Sequence, residues 1–389
     1  MIPVLHRARF VMTEPGRWLE NGWVVVNGNR ISEVSRGSVS PSADRRIIDH
    51  GDGILMPALV NAHTHISLSG HARYQASEGF PKWVEAVITA RNRQSPEDAA
   101  RTVQDGAKAL KNTGTGLVAE FGPHVPVAMA LKMLRLHATV WLECLANDRD
   151  LPALPENTPT IRHAYAGHAP HTTSPTLLKR VQAADSRLEQ RFCFHLAESR
   201  AEVEFLQTGQ GEWSDFMSHM GIDFSNWDCF GKKPVEMALE MELLDQNTLA
   251  VHLLEINAKE MESFAQTGAH ACLCPRSNWM LHHQLPDIEG FLKLGIQPAL
   301  GTDSLASVTT LSLFDEMRFI HDRFPKLSPD VILAMGTRNG ARALGYPDLG
   351  TLRPGSRSAM IYVDLNVANA KEAAEALVST ENLSVNPMF

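Results

Sequence analysis

Apolar positions in this chain gather in short runs separated by longer mixed stretches. Strand-like runs end at His63 and His65, near Glu120, near Glu143, and at His168, His195, His252, Cys274 and Asp303. Between them, helical composition predicts helices over 96–111, 125–136, 176–189, 201–206, 234–244, 259–266 and 285–294. Eight strand–helix repeats in about 290 residues predict an α/β fold, a (β/α)8 TIM barrel. No sequence repeat of fixed period points to a solenoid. No Gly/Ser-rich or Pro-rich linker divides 57–349, so this stretch reads as one domain.

The flanks differ. Residues 1–56 read as β-structure: Gly22 to Ile31 sets Asn27-Gly28 between two β-rich runs, a strong hairpin signal. Ile47-Ile48-Asp49 continues it. The segment is too short for its own core. Residues 350–389 supply a partner, with turn-rich Gly350 to Gly355 and a short strand from Ala359 to Asp364. The two ends are expected to form a small β-sandwich beside the barrel. Lys371 to Leu377 is helical in composition, and no ordered element is predicted for Asn382 to Phe389.

The strand ends carry the chemistry. Ile54 to Val60 is dry and leads into His63-Thr64-His65. Residues i and i+2 of a strand share a face, so both imidazoles aim at one spot. Phe192 to Leu196 carries His195, with Glu198 three residues on; Leu249-Ala250-Val251 ends in His252; Gln297 to Thr302 ends in Asp303. Each has an ordinary alternative. A histidine at a strand end is commonly a hydrogen-bonded core residue, Asp303 fits a helix cap, and Glu198 fits a cap near Ser199. All of them in order on different strands is a different matter, because strand ends of a barrel converge on one mouth. His63, His65, His195 and Asp303 would form a three-histidine, one-carboxylate shell. That set suits one divalent ion, zinc or alternatively ferrous iron, with a position left for water. No lysine ends the fourth strand, where Ala166 to His171 runs, which favours one metal over two.

Bulk properties narrow the partners. The 389 residues carry a formal charge of −8, which argues against nucleic acid. Five cysteines, an odd number, suggest no disulfide framework and fit a cytoplasmic setting. Cys272 and Cys274 read as a buried strand. No apolar run is long enough to span a bilayer, and no signal peptide is evident.

The chain resembles the amidohydrolase superfamily over nearly its whole length. The resemblance is carried by Met56-Pro57 through His65, His195-Leu196-Ala197-Glu198-Ser199, Val251-His252, Cys274-Pro275-Arg276-Ser277-Asn278 and Gly301 to Ser307. Within it, the sequence is similar to adenosine-type deaminases acting on methylthioadenosine, S-adenosylhomocysteine and aminodeoxyfutalosine. The resemblance implies that His63, His65, His195 and Asp303 bind the metal. It implies that Glu198 shuttles protons and contacts the purine, and that His252, with Asp303, holds the attacking water. His171 takes the place of a histidine near the ribose.

Several stretches resemble the aminodeoxyfutalosine branch, whose reaction lies on the futalosine route to menaquinone: Glu198 to Trp213, Cys274 to Asn278, Phe314 to Arg318, and Trp83 to Arg93. Thioadenosine deaminases carry a glutamate for the ribose hydroxyls where this chain has Asn92. The benzoate of aminodeoxyfutalosine would suit an arginine, with Arg91 and Arg93 as candidates and Arg276 behind them. Trp83 joins the substrate-binding set. The sequence departs from the family at Val308, in place of an asparagine, and at Trp279 to His283, in place of a Gly-containing loop. A homodimer is a family-level expectation.

Three rivals stand beside this reading. One is another hydrolase of the superfamily, such as a thioadenosine deaminase or a ring dechlorinase. Another is a non-enzymatic scaffold on the same barrel, against which the complete polar set argues. A nucleic-acid-editing deaminase would use His and Cys ligands.

Overall fold

The computed structural model describes residues 2–38, 45–69, 79–122, 124–147 and 150–389. Five strands come first: β1 (Val4–Glu14), β2 (Arg17–Asn27), β3 (Arg30–Arg36), β4 (Arg46–Asp49) and β5 (Ile54–Pro57). Eight more follow: β6 (Leu59–Thr64), β7 (Thr115–Phe121), β8 (His137–Cys144), β9 (Ile161–Gly167), β10 (Phe192–Leu196), β11 (Thr248–His252), β12 (His270–Leu273) and β13 (Ala299–Leu300). The last pair is β14 (Met360–Val363) and β15 (Val385–Pro387).

Strands β6 to β13 pair in sequence order, each parallel to its neighbour. A bridge between Thr64 and Asp303 brings the last strand back to the first and closes the ring. Helices fill the crossovers: α1 (Phe80–Asn92), α2 (Pro96–Asn112), α3 (His124–Met133), α4 (Pro175–Arg187), α5 (Arg200–Thr208), α6 (Glu212–His219), α7 (Pro234–Glu240), α8 (Ala258–Thr267), α9 (Pro275–His282), α10 (Ile288–Lys293) and α11 (Leu313–Arg323). The molecule is thus a (β/α)8 barrel with a second sheet from both chain ends, ordered β15-β14-β5-β1-β2-β3 with β4 on the outer part of β1. Among the described residues, no helix is long and apolar enough to cross a membrane.

The local reasons are plain. Strands such as β7, β10 and β11 are covered on both faces, so they read as continuous apolar runs rather than alternating ones. Ser95, Ser174, Ser199 and Asn257 accept the backbone N–H three residues on and start α2, α4, α5 and α8. The ring closes tightly at Gly301. A Cβ there would lie 2.7 Å from His63 Cβ and 2.9 Å from the His63 carbonyl oxygen, so only glycine lets β13 approach the histidine strand.

Three elements depart from the expectations. Helix α1 was not predicted: its Trp83, Val84, Val87, Ile88 and Thr89 weaken intrinsic helicity. It forms because Trp83 and Val87 bury against Leu281 and Ala306. Trp279 to His282, read as loop, is the second half of α9, launched by Pro275 at its first position. The tail from Asn382 is ordered through pairing rather than pattern: β15 runs antiparallel to β14, and Lys111 donates to the Phe389 carbonyl while lying over its ring.

Candidate active site and metal centre

His63 sits in β6 and His65 just beyond its end, so the two rings project to the same side. They meet edge to face with centroids 4.8 Å apart. His195, in β10, meets His63 the same way, and the Nε2 atoms of His63 and His195 are 3.2 Å apart. Asp303 Oδ1 is 3.9 Å from the Nε2 atoms of both His63 and His65. Nitrogens bound to one zinc at ordinary bond lengths in a tetrahedral shell lie about 3.3 Å apart. The donor spacing therefore fits a single ion.

The groups behind these donors fit as well. His65 Nδ1 is 3.1 Å from the Phe121 carbonyl oxygen, and His195 Nδ1 is 2.7 Å from that of His168. Each carbonyl takes the Nδ1–H and leaves Nε2 as a lone pair. Ser277 and Ser307 donate to Asp303 Oδ2 at 2.6 and 2.9 Å, which leaves Oδ1 for the histidine side. Burial, reinforced by the neighbouring imidazoles, pushes His63 well below the ordinary histidine range. Burial brings His65 and His195 down to about 4. The three rings are held neutral, the form that ligates a metal.

A second donor group, Glu143, His168 and His195, also lies within 4.8 Å. His195 belongs to both groups. With its Nδ1 on the His168 carbonyl, it has one lone pair to offer and can serve only one ion.

Glu198 and His252 stand beside the donors. His252 Nε2 is 3.7 Å from Glu198 Oε1, and its Nδ1 donates to Asn278 Oδ1 at 2.9 Å. The carboxylate of Glu202 accepts the backbone N–H groups of Ala197 and Glu198 at 2.9 and 2.7 Å, which fixes the turn presenting Glu198. Burial alone would raise the Glu198 pKa, but the imidazoles of His252, His282 and His195 outweigh it and hold the carboxyl below its usual range. Ala197, His252, Leu253 and Asp303 all have φ between 49° and 75°. Left-handed backbone costs roughly 1–2 kcal/mol at each non-glycine residue, and here it turns the chain sharply at strand ends.

The remaining residues singled out from sequence divide. His171 is buried beside the Glu198 turn, its Nδ1 3.8 Å from Glu202 Oε2 and its ring 4.3 Å from that of Trp213. Trp83 packs under the mouth on α1. Arg91, also on α1, is exposed and close enough to act electrostatically on His65 and Glu143. Arg93 lines an outer cavity with Asp98, Arg101 and Asp105. Arg276 is committed elsewhere: its guanidinium donates to Thr309 and Thr310 and pairs with Glu316 at 3.6 Å.

Sequence reasoning gave no role to Glu143 or His168, although both were noted as strand ends. It also gave none to Ser277, Asn278, Glu202, Ser307 and His282. The motif Cys274 to Asn278 held the signal for two of these, but only a helix starting at Pro275 turns Ser277 and Asn278 toward Asp303 and His252.

Comparison with known proteins places this geometry. The model of the amidohydrolase family matches residues 54–387. The 5-methylthioadenosine/S-adenosylhomocysteine deaminase of Nitratidesulfovibrio vulgaris is 27% identical over 374 residues, covering 89% of this chain and 79% of its own. Among solved structures, aminofutalosine deaminase of Helicobacter pylori, in complex with methylthio-coformycin, superposes with a TM-score of 0.83 at 22% identity, covering 97% of both chains. Atrazine chlorohydrolase from Arthrobacter aurescens TC1, complexed with zinc, superposes with a TM-score of 0.77 at 18% identity, covering 96% of this chain and 91% of its own. Both structures share the fold.

Proposed function

We propose, from the premise that this chain belongs to the amidohydrolase family, that it hydrolytically deaminates an adenosine derivative, replacing the C6 amine of the purine by an oxo group and releasing ammonia. The observation that carries this reading is the convergence of three neutral imidazoles and Asp303 on one point, with Glu198 and His252 facing each other beside it. His63, His65, His195 and Asp303 would hold one divalent ion, zinc in our reading. When bound, such an ion supplies a water acidified toward a pKa of ~7.

The chain's own groups do the rest. Glu198 is held ionised, so it takes a proton from the attacking water and passes it to the ring nitrogen next to C6. The same carboxyl then takes the second water proton, from the hydroxyl now on C6, and gives it to the departing amine, so that C6–O becomes an oxo group, the C6–N bond breaks and ammonia leaves. Asp303 and His252 orient the water. With its Nδ1–H on Asn278, His252 presents the Nε2 lone pair to the water and holds it in line.

For the substrate we propose aminodeoxyfutalosine. Its support is the run of resembling segments from Trp83 to Arg318, with Asn92 standing where a glutamate would hold ribose hydroxyls. Arg91 adds support as the one of the three candidate arginines close enough to act electrostatically on His65 and Glu143. The relatives at 26–28% identity carry names for methylthioadenosine/S-adenosylhomocysteine and 5′-deoxyadenosine deamination and favour the second reading. Ammonia release from aminodeoxyfutalosine, methylthioadenosine and S-adenosylhomocysteine, assayed side by side, decides between them. We expect kcat/KM for aminodeoxyfutalosine to exceed the others by ~10-fold or more, the scale of one carboxylate–arginine contact. Comparable values would move the assignment to the thioadenosines, and no release from any of them would remove the deaminase reading.

A further inference from the structure

Helix α9 reaches three groups of the site from one face. Its first turn supplies Ser277, which donates to Asp303, and Asn278, which accepts from His252. One turn later, at the spacing that returns to the same face, stands His282. Its Nε2 is buried, has no hydrogen-bond partner, and lies 3.6 Å from Glu198 Oε1. His252 approaches the same oxygen at 3.7 Å. The Glu198 oxygen therefore sits between two imidazoles, one from β11 and one from α9.

The ring is held on its other side. Phe80, at the start of α1, meets the His282 ring edge to face with centroids 4.8 Å apart, and Phe80 stacks on Trp83. This packing sets the plane of the imidazole and aims Nε2 at the carboxylate. His282 lies in the stretch where the sequence departs from the family pattern.

We propose that His282 is a positioning residue for Glu198: its Nε2–H donates to Oε1 and holds the carboxylate in line with the water and the purine ring. The contact shortens by a few tenths of an ångström when substrate fills the mouth and expels solvent. No proton is gained or lost in this role, which is that of a fixed donor. An unpaired buried donor facing a carboxylate at 3.6 Å has this as its cheapest resolution.

The inference rests on the deaminase reading for its kinetic test, so a second readout is kept independent of turnover. His282→Phe keeps a ring against Phe80 and removes the donor, and His282→Gln keeps a donor and removes the ring. With the better nucleoside, His282→Phe should lower kcat by ~10-fold or more, the worth of a hydrogen bond to a charged group. KM and bound metal should stay near wild type, and His282→Gln should recover most of the rate. Wild-type kcat in His282→Phe overturns the proposal. So does equal impairment of both variants, which would make the ring's packing the whole effect.

The second readout is the 15N resonance of His282 Nε2 in metal-loaded protein, identified by its loss in His282→Phe. It should move when Glu198 is replaced by Gln, and an unmoved resonance overturns the proposal. If wild type deaminates none of the nucleosides, the activity reading fails alone, and the resonance still decides the contact.

Discussion

The mouth of the barrel holds two sets of groups built on opposite plans. In the set carried by β6, β10 and the turn after β13, most donors are secured from behind. His65 and His195 hold backbone carbonyls through Nδ1, and Asp303 holds two serine hydroxyls through Oδ2. His63 Nδ1 is the exception, buried without a partner. In the other set, from β8, α1, α9 and the loop after β9, polar atoms are buried and unpaired: Glu143 Oε1, His171 Nδ1, His282 Nε2, Asn278 Nδ2 and Trp83 Nε1. A buried unpaired polar atom costs about 1–3 kcal/mol, so a cluster of them marks a surface that some ligand completes. The first set is held from within the protein, and the second leaves polar atoms that a ligand can satisfy.

The sharpest way to break this contrast is to remove a secured donor. His195→Ala should lose the metal and lower ammonia release by more than ~1000-fold, since the acidified water goes with the ion. Metal analysis by mass spectrometry, together with rate, checks it; full occupancy would take His195 out of the shell. Glu198→Gln comes next. It should keep the metal and lose ~100-fold or more in kcat, the usual worth of general acid–base help. Turnover at the wild-type rate would end the role given to Glu198.

A substrate-side change should look different. Arg91→Ala should leave metal and kcat close to wild type while raising KM for aminodeoxyfutalosine several-fold, about 1 kcal/mol for a partly exposed ion pair. KM for methylthioadenosine, which has no carboxylate, should stay put. Equal rises for both would exclude a carboxylate contact at Arg91.

The two sets also differed in how well sequence foretold them. His63, His65, His195, His252 and Asp303 each end an apolar run, and strand period plus barrel closure is enough to gather them. Most of the second set depends on helices that enter the mouth from the side. Helix α1 is poor in helix formers and exists through burial of Trp83 and Val87. Helix α9 begins on a proline after a strand, and no helix was predicted there, so nothing in the sequence turned Ser277, Asn278 and His282 toward the mouth. Arg276 shows the limit of charge alone. Its sign suggested a carboxylate partner in a substrate, and the fold spends it on Glu316, Thr309 and Thr310. The tail strand β15 has no pattern of its own and is dictated by the free edge of β14.

The smallest expected effect on turnover tests whether an unpaired buried atom by itself signals a ligand. Asp185, on α4, lies outside the mouth, accepts the Tyr165 N–H at 2.9 Å through Oδ1, and leaves Oδ2 buried and unpaired. Burial raises its pKa to about 8, against a partial offset from the Tyr165 hydrogen bond. Because the folded value lies above the unfolded one, the folded state holds the extra proton across that interval. Stability contributed by Asp185 is therefore complete below the unfolded pKa and drains away as pH rises toward 8. Asp185→Asn keeps the acceptor for Tyr165 and cannot ionise. It should leave kcat and KM unchanged, fall below wild type near pH 4 by about 1–3 kcal/mol because the new amide finds no partner, and close or reverse that gap by pH 9 as wild type ionises. Urea melts at the two pH values measure this difference. A variant equally stable at both, relative to wild type, would mean that Asp185 is ionised and solvated in the fold; a variant with impaired kcat would tie α4 to the mouth and blur the line drawn between unpaired atoms that face a ligand and those that are merely buried.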